Sequence, residues 1–195
     1  MKTVSSPLSL LSAAVACAGL LGACSPVAQL LTGKPSTNRA SVRFSSPTGD
    51  ASGLDLNNFN PDKVQGDGQA TPAYLMQTGQ GQIALPAYTT SLTLSLGGGT
   101  SNSRSISLQV SDKLATGYTC AFTSPFSALP ASGALKVCTL SYNGGKQNLT
   151  ASSGTFSVTS LDGQKLRFTA QATLNTPGGG TVRADVEGQA DDFKP

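Results

Sequence analysis

The stretch Leu161-Asp162-Gly163-Gln164-Lys165-Leu166-Arg167-Phe168-Thr169-Ala170-Gln171-Ala172-Thr173-Leu174 decides the fold. Leu166, Phe168, Ala170, Ala172 and Leu174 alternate with Arg167, Thr169, Gln171 and Thr173. A period of two places one row on a buried face and the other in water, which is the pattern of a half-buried strand. The preceding Asp162-Gly163 suits a type I′ turn, whose two central residues need positive φ. It divides this strand from Phe156–Leu161, so the two are expected to form a hairpin.

The same period recurs on both sides. Val182, Ala184 and Val186 face away from Arg183, Asp185 and Glu187. Upstream, the rows are Ile106, Leu108 and Val110, then Leu92, Leu94 and Leu96, then Val42 and Phe44. Asn143-Gly144-Gly145, Pro177-Gly178-Gly179-Gly180 and Gly97-Gly98-Gly99 punctuate them. The segment 134–190 reads as a meander of four or five strands. No segment after residue 38 sustains a 3.6-residue period. The expected fold is all-β: an antiparallel β-sandwich or small barrel of about eight strands. Only Ala51–Gly81 lacks alternation and reads as a long connection, with Tyr74-Leu75-Met76 as a short strand within it.

Composition supports an exported β protein. The 195 residues include 25 Ser, 21 Thr and 22 Gly, whereas charged residues are only 12%. Disorder favours high net charge, and here it is +3. Thirteen basic and ten acidic residues are spread thinly, without the basic stripe of a nucleic-acid binder. There is no His. Ser-His-Asp and Cys-His catalysis are therefore excluded, as are His-ligated zinc and copper sites. No Gly-x-Ser-x-Gly, Ser-x-x-Lys or P-loop pattern is present, and no cofactor is expected.

The amino-terminal 23 residues read as an export signal: Lys2, then an apolar run from Leu8 to Leu21. At about 14 residues this run is too short for an ordinary spanning helix, which needs around 20. It ends Leu21-Gly22-Ala23-Cys24, followed by Ser25. This resembles the lipobox of bacterial lipoproteins: an aliphatic residue, two small residues and Cys. The resemblance covers about the first 24 residues and implies nothing about the rest of the chain. It implies that residues 1–23 are cleaved and that Cys24 carries a diacylglycerol on its thiol and an acyl chain such as palmitate on its new amino terminus. It further implies a cell-envelope location, lipid-anchored, with Ser25 rather than Asp pointing to the outer membrane. Two or three acyl chains on one residue hold far more firmly than one. Residues 24–38, with Pro26 and Pro35, read as the lipidated Cys and a tether, and residues 39–195 as a single β domain.

With Cys17 lost in the leader and Cys24 lipidated, Cys120 and Cys138 remain. An even pair in an exported protein predicts a disulfide. The stretch between them, with Pro125 and Pro130, reads as irregular.

Three groups of residues bear on chemistry. Asp185 and Glu187 share a strand face about 6–7 Å apart. A glycosidase pair needs such a separation, but these two alternate outward beside Arg183, as on a solvated face. Asp191-Asp192 reads as a charged tail. Asp55, Asn57, Asn60, Asp62 and Asp67 are oxygen ligands of the kind calcium takes; their spacing is not that of an EF-hand, and turn chemistry accounts for the same residues. Tyr74, Tyr88, Tyr118 and Tyr142 are candidates for an exposed platform, against the ordinary role of aromatics in packing.

The expected function is a non-enzymatic envelope lipoprotein. Its partners are the membrane, through the lipid, and an envelope protein or polysaccharide. The alternative is a small-ligand carrier or enzyme inhibitor of the periplasm. For the inhibitor, Tyr118-Thr119-Cys120 and Ser153-Gly154 are similar to stretches of small disulfide-bearing lysozyme inhibitors, with no residue role carried over. A hydrolase is the third reading.

Overall fold

The computed structural model describes residues 39–72, 75–78, 81–97, 103–123, 133–134, 137–144 and 147–195. The leader, Cys24, the tether, Tyr74, Pro125 and Pro130 lie outside the described residues, as do Gly98, Gly99 and Gly145.

The strands are β1 (Arg39–Thr48), β2 (Lys63–Ala70), β3 (Leu75–Thr78), β4 (Gly81–Ala84), β5 (Tyr88–Leu96) and β6 (Arg104–Val110). They continue with β7 (Thr119–Ala121), β8 (Gly133–Ala134), β9 (Cys138–Gly144), β10 (Gln147–Asp162), β11 (Lys165–Asn175) and β12 (Thr181–Ala190). A 3-10 turn, Gly49–Gly53, follows β1. The main sheet runs β1-β12-β11-β10-β9-β6-β5-β2, antiparallel throughout, and curls into a half-barrel. β7 adds to the far end of β10, and β3, β4 and β8 form a separate small sheet.

The alternation read from the sequence sets which side is inside. Leu166, Phe168, Ala170, Ala172 and Leu174 of β11 are all buried, as are Ile106, Leu108 and Val110 of β6 and Leu92 and Leu94 of β5. With Val182, Ala184 and Val186 of β12 they belong to one core cluster inside the curl. Phe44, Phe59 and Tyr142 stack in one part of it, with ring centroids 5.0 to 6.4 Å apart. Phe156 meets Phe168 at 5.8 Å elsewhere. Tyr142 is thus a core residue and not part of an exposed platform.

The meander is β9 to β12, with one difference at its centre. Gln147–Ala151 and Phe156–Leu161 are a single strand, β10, which pairs β9 over its first residues and β7 further on. The hairpin turn is also displaced by one residue from the expected position. Asp162 pairs with Lys165, so the central residues are Gly163 and Gln164. Gly163 has φ 57°, and Gln164 is not among the residues with positive φ. Positive φ at the first central position alone is the type II′ arrangement, which favours glycine there.

The long connection Ala51–Gly81 contains β2, which sequence reading missed. Its inward positions are Val64, Gly66 and Gly68, so no apolar row marks it. The glycines make room for neighbours: a side chain at Gly66 would collide with Leu92 and Phe193, and one at Gly68 with Tyr88.

β1 and β2 are the two edges of the curl. They lie near each other without pairing directly. Adjoining segments supply the missing partners. Val42 and Phe59 exchange backbone hydrogen bonds of 2.9 and 3.0 Å on the β1 side. On the β2 side, the Gly68 amide donates to the Lys194 carbonyl at 2.7 Å and the Lys194 amide to the Gly66 carbonyl at 3.2 Å. Asp191–Pro195, read from Asp191-Asp192 as a charged tail, is therefore part of the fold. It folds back along β2, its Phe193 is 1% exposed, and the Phe193 amide donates to Gln164 at 2.9 Å.

A third tie joins the 3-10 turn to the β11–β12 turn. The Asp50 carboxylate accepts from the Thr176 hydroxyl and, at 2.8 Å, from the Gly180 amide. These bonds hold its carboxyl below the usual value, the Thr176 bond contributing most.

Two outcomes test these ties. Phe193→Ala removes a fully buried ring and is expected to cost about 3–5 kcal/mol in urea denaturation. A loss near zero would mean that the tail does not hold the edge. Asp50 has a lower pKa folded than unfolded, so its contribution is fully present above the unfolded value and is lost as pH falls through the folded one. Asp50→Asn should therefore lower the urea midpoint at neutral pH and flatten its decline below about pH 5; a decline identical to that of the parent protein would contradict the clasp.

Candidate functional site

The residues singled out for chemistry are mostly held in structural roles. Arg183 and Asp185 pair at 3.1 Å on the outside of β12, and the carboxylate bond pushes the guanidinium pKa further up. Glu187 sits outward opposite Ser41 and Thr169. Asp185 and Glu187 therefore lie on a strand face flanked by β1 and β11.

The five oxygen-ligand candidates for calcium are not gathered. Asp55 accepts from the Asn57 amide, and Arg104 reaches both, donating to the Asn57 carbonyl at 3.0 Å and lying 3.9 Å from the Asp55 carboxylate. A guanidinium thus occupies the position that a cation would take. Asp62 accepts from the Gly97 amide at 3.3 Å, and Asp67 points outward from β2. Asn60 follows Phe59 in the connecting segment. Among the described residues, no group of three or more Asp, Glu or Cys is placed to hold a metal ion.

Cys120 of β7 and Cys138 of β9 form the expected disulfide, with Cα atoms 6.2 Å apart. Cys120 lies opposite Phe156 of β10 and Cys138 opposite Val110 of β6, so the bond ties β7 to the middle of the sheet. Beside it is a cleft of about 460 Å³ lined by Asp112, Tyr118, Thr119 and both cysteines. The Tyr118 hydroxyl donates to Asp112 at 3.0 Å. Burial, and then the neighbouring carboxylate, push the phenol pKa up, so Tyr118 stays protonated as a donor.

A further concave surface was not foreseen. A cleft of about 410 Å³ is bounded by Gln65, Asp67, Ser91 and Thr93 of β2 and β5, with Asp192 and Lys194 from the folded-back tail. A second cleft of about 270 Å³ shares Asp67 and Ser91 and adds Gln69, Thr71, Thr89 and Gln109. Sequence reading missed it for two reasons. β2 carries no apolar row, and the tail residues are distant in the chain.

The register explains why this half of the outer face is polar but little charged. Gln65, Thr93, Ser107, Ser141 and Thr150 form one row across β2, β5, β6, β9 and β10. Asp67, Ser91, Gln109 and Thr139 form the next. The other half carries the arginines: Arg39, Arg43, Arg167 and Arg183 stand around Asp185 and Glu187 on β1, β12 and β11.

Comparison with protein-family models, curated proteins and solved structures gives no match to this chain. Among the described residues, no helix is long and apolar enough to cross a membrane.

The disulfide is open to direct measurement. Non-reducing peptide mapping is expected to recover the Cys120 and Cys138 peptides joined. Replacing both cysteines with Ser should cost about 3 kcal/mol in urea denaturation, the loop-closure value for a loop of this length. Two alkylatable thiols at these positions in the unreduced protein would contradict the bond.

Proposed function

We propose that the protein is a lipid-anchored envelope protein whose β domain binds another envelope component without catalysing a reaction. The observation that carries the anchor is the sequence Leu21-Gly22-Ala23-Cys24 after a short apolar run. Binding, rather than catalysis or carriage, is supported by the use made of the side chains. Asp50, Asp55, Asp62, Asp112 and Asp185 are each engaged by a donor from the same domain. The interior of the curl is filled by Tyr142, Phe156, Phe168, Phe193 and aliphatic residues, which favours recognition on the outer face over a ligand held inside. Outer-membrane residence belongs to this reading through Ser25.

Cys24→Ser is the decisive variant. Expressed with its leader, the parent protein should fractionate with membranes and resist extraction by high salt, because acyl chains and not charges hold it. The Cys24→Ser protein should appear in the soluble fraction. Full retention of Cys24→Ser on the membrane would overturn the lipid anchor. Crosslinking in intact envelopes would then report the captured component.

A further inference from the structure

We propose that the paired cleft on the outer face of β2 and β5 is a subsite for a neutral polysaccharide strand. The inference rests on the binding reading above and names its partner class.

Shape is the first ground. The two clefts share Asp67 and Ser91 and follow one another along β2 and β5. Outward residues recur about every 6.5–7 Å along a strand, and here each step presents polar groups. A linear polymer laid along β2 and β5 meets Gln65 and Thr93, then Asp67 and Ser91, then Gln69 and Thr89.

Chemistry is the second ground. Apart from Gly66, every side chain bounding the groove is a hydroxyl, an amide, a carboxylate or an ammonium. An amide donates and accepts at once, and a carboxylate accepts at both oxygens, so each can bridge adjacent hydroxyls on a sugar ring. Asp67 is half-buried and its orientation is set by Gln69, whose amide donates to it at 3.0 Å.

Charge is the third. The groove holds two carboxylates, Asp67 and Asp192, and one ammonium, Lys194. Its formal charge is therefore −1, which disfavours an anionic polymer. Arg39, Arg43, Arg167 and Arg183, which would attract one, lie on β1, β11 and β12. A neutral strand of hydroxyls suits this groove.

Rigidity is the fourth. The wall formed by the tail is fixed by backbone bonds from Lys194 to Gly66 and Gly68, and by Phe193 buried beneath it. A preformed groove loses little conformational freedom on binding.

The test uses the full chain expressed with its leader and purified in detergent. Cellohexaose, maltohexaose and chitohexaose are titrated by calorimetry, with polygalacturonate and a polar decapeptide as competitors of other chemistry. The expected result is binding of at least one neutral hexasaccharide. Ser91→Trp, which fills the groove from an outward position, and Gln109→Ala should each weaken it by about tenfold or more, equal to about 1.4 kcal/mol. Arg167→Ala, on the other half, should leave it unchanged. Melting curves establish that the variants fold. The proposal is overturned if none of the three hexasaccharides binds, if the groove variants bind like the parent, or if only the anionic polymer or the peptide binds.

The outcomes separate the two readings. Absence of glycan binding with Cys24→Ser released from the membrane removes the groove proposal and keeps the anchored protein. Groove-dependent binding with Cys24→Ser retained on the membrane does the reverse.

Discussion

A curled antiparallel sheet that stops short of closing leaves two strands with one row of unsatisfied backbone groups each. The demand of those groups for partners is the constraint on which the rest of this structure depends. Here the partners are single residues: Phe59 for β1 and Lys194 for β2. Each bridge stands at or next to an aromatic that enters the core, Phe59 itself against Tyr142 and Phe193 beside Lys194 over Gly66. Hydrogen bonding and apolar burial therefore act on the same segments. The bridge orders the backbone that carries the ring, and the burial of the ring holds the bridge in place. The Asp50 clasp on Thr176 and Gly180 makes a further tie between distant parts of the chain.

Closing the edges in this way also shapes the surface. The tail that completes β2 becomes one wall of a groove, whose other walls are Gln65, Asp67, Ser91 and Thr93. Strand order then sorts the charges. β1, β12 and β11 bring Arg39, Arg43, Arg167 and Arg183 to one half, and β2, β5, β6 and β9 bring mostly hydroxyls and amides, with Lys63 and Asp67, to the other. The disulfide serves the same economy on the edge of β10 that β9 also pairs, holding the three-residue β7 that would bury little apolar surface alone.

Much of the architecture was legible because most strands are buried on one face only. Alternation at Leu166–Leu174, Val182–Val186, Ile106–Val110 and Leu92–Leu96 identified each strand and its inward row, and all of those inward residues except Leu96 are buried. Leu96 is half-buried and packs against the core. The pattern failed where glycine replaced an inward side chain. β2 was unreadable because Gly66 and Gly68 yield their space to Leu92, Phe193 and Tyr88, residues far away in sequence. Asp162-Gly163 announced a hairpin correctly, but the register of β10 against β11 displaced the turn to Gly163-Gln164.

The sequence by itself determined an all-β fold, the inward face of most strands, the Cys120–Cys138 pairing and the absence of histidine chemistry. These follow from short-range periodicity and from composition, which need no knowledge of what lies across the sheet. Only the tertiary structure decided how the edges are closed, that Asp191–Pro195 is a latch rather than a tail, that Asp55 and Asn57 face a guanidinium, and that a polar groove lies over β2 and β5. Each of these depends on contacts between residues distant in the chain. Such contacts are set by the packing of the whole curl and leave no period in the local sequence.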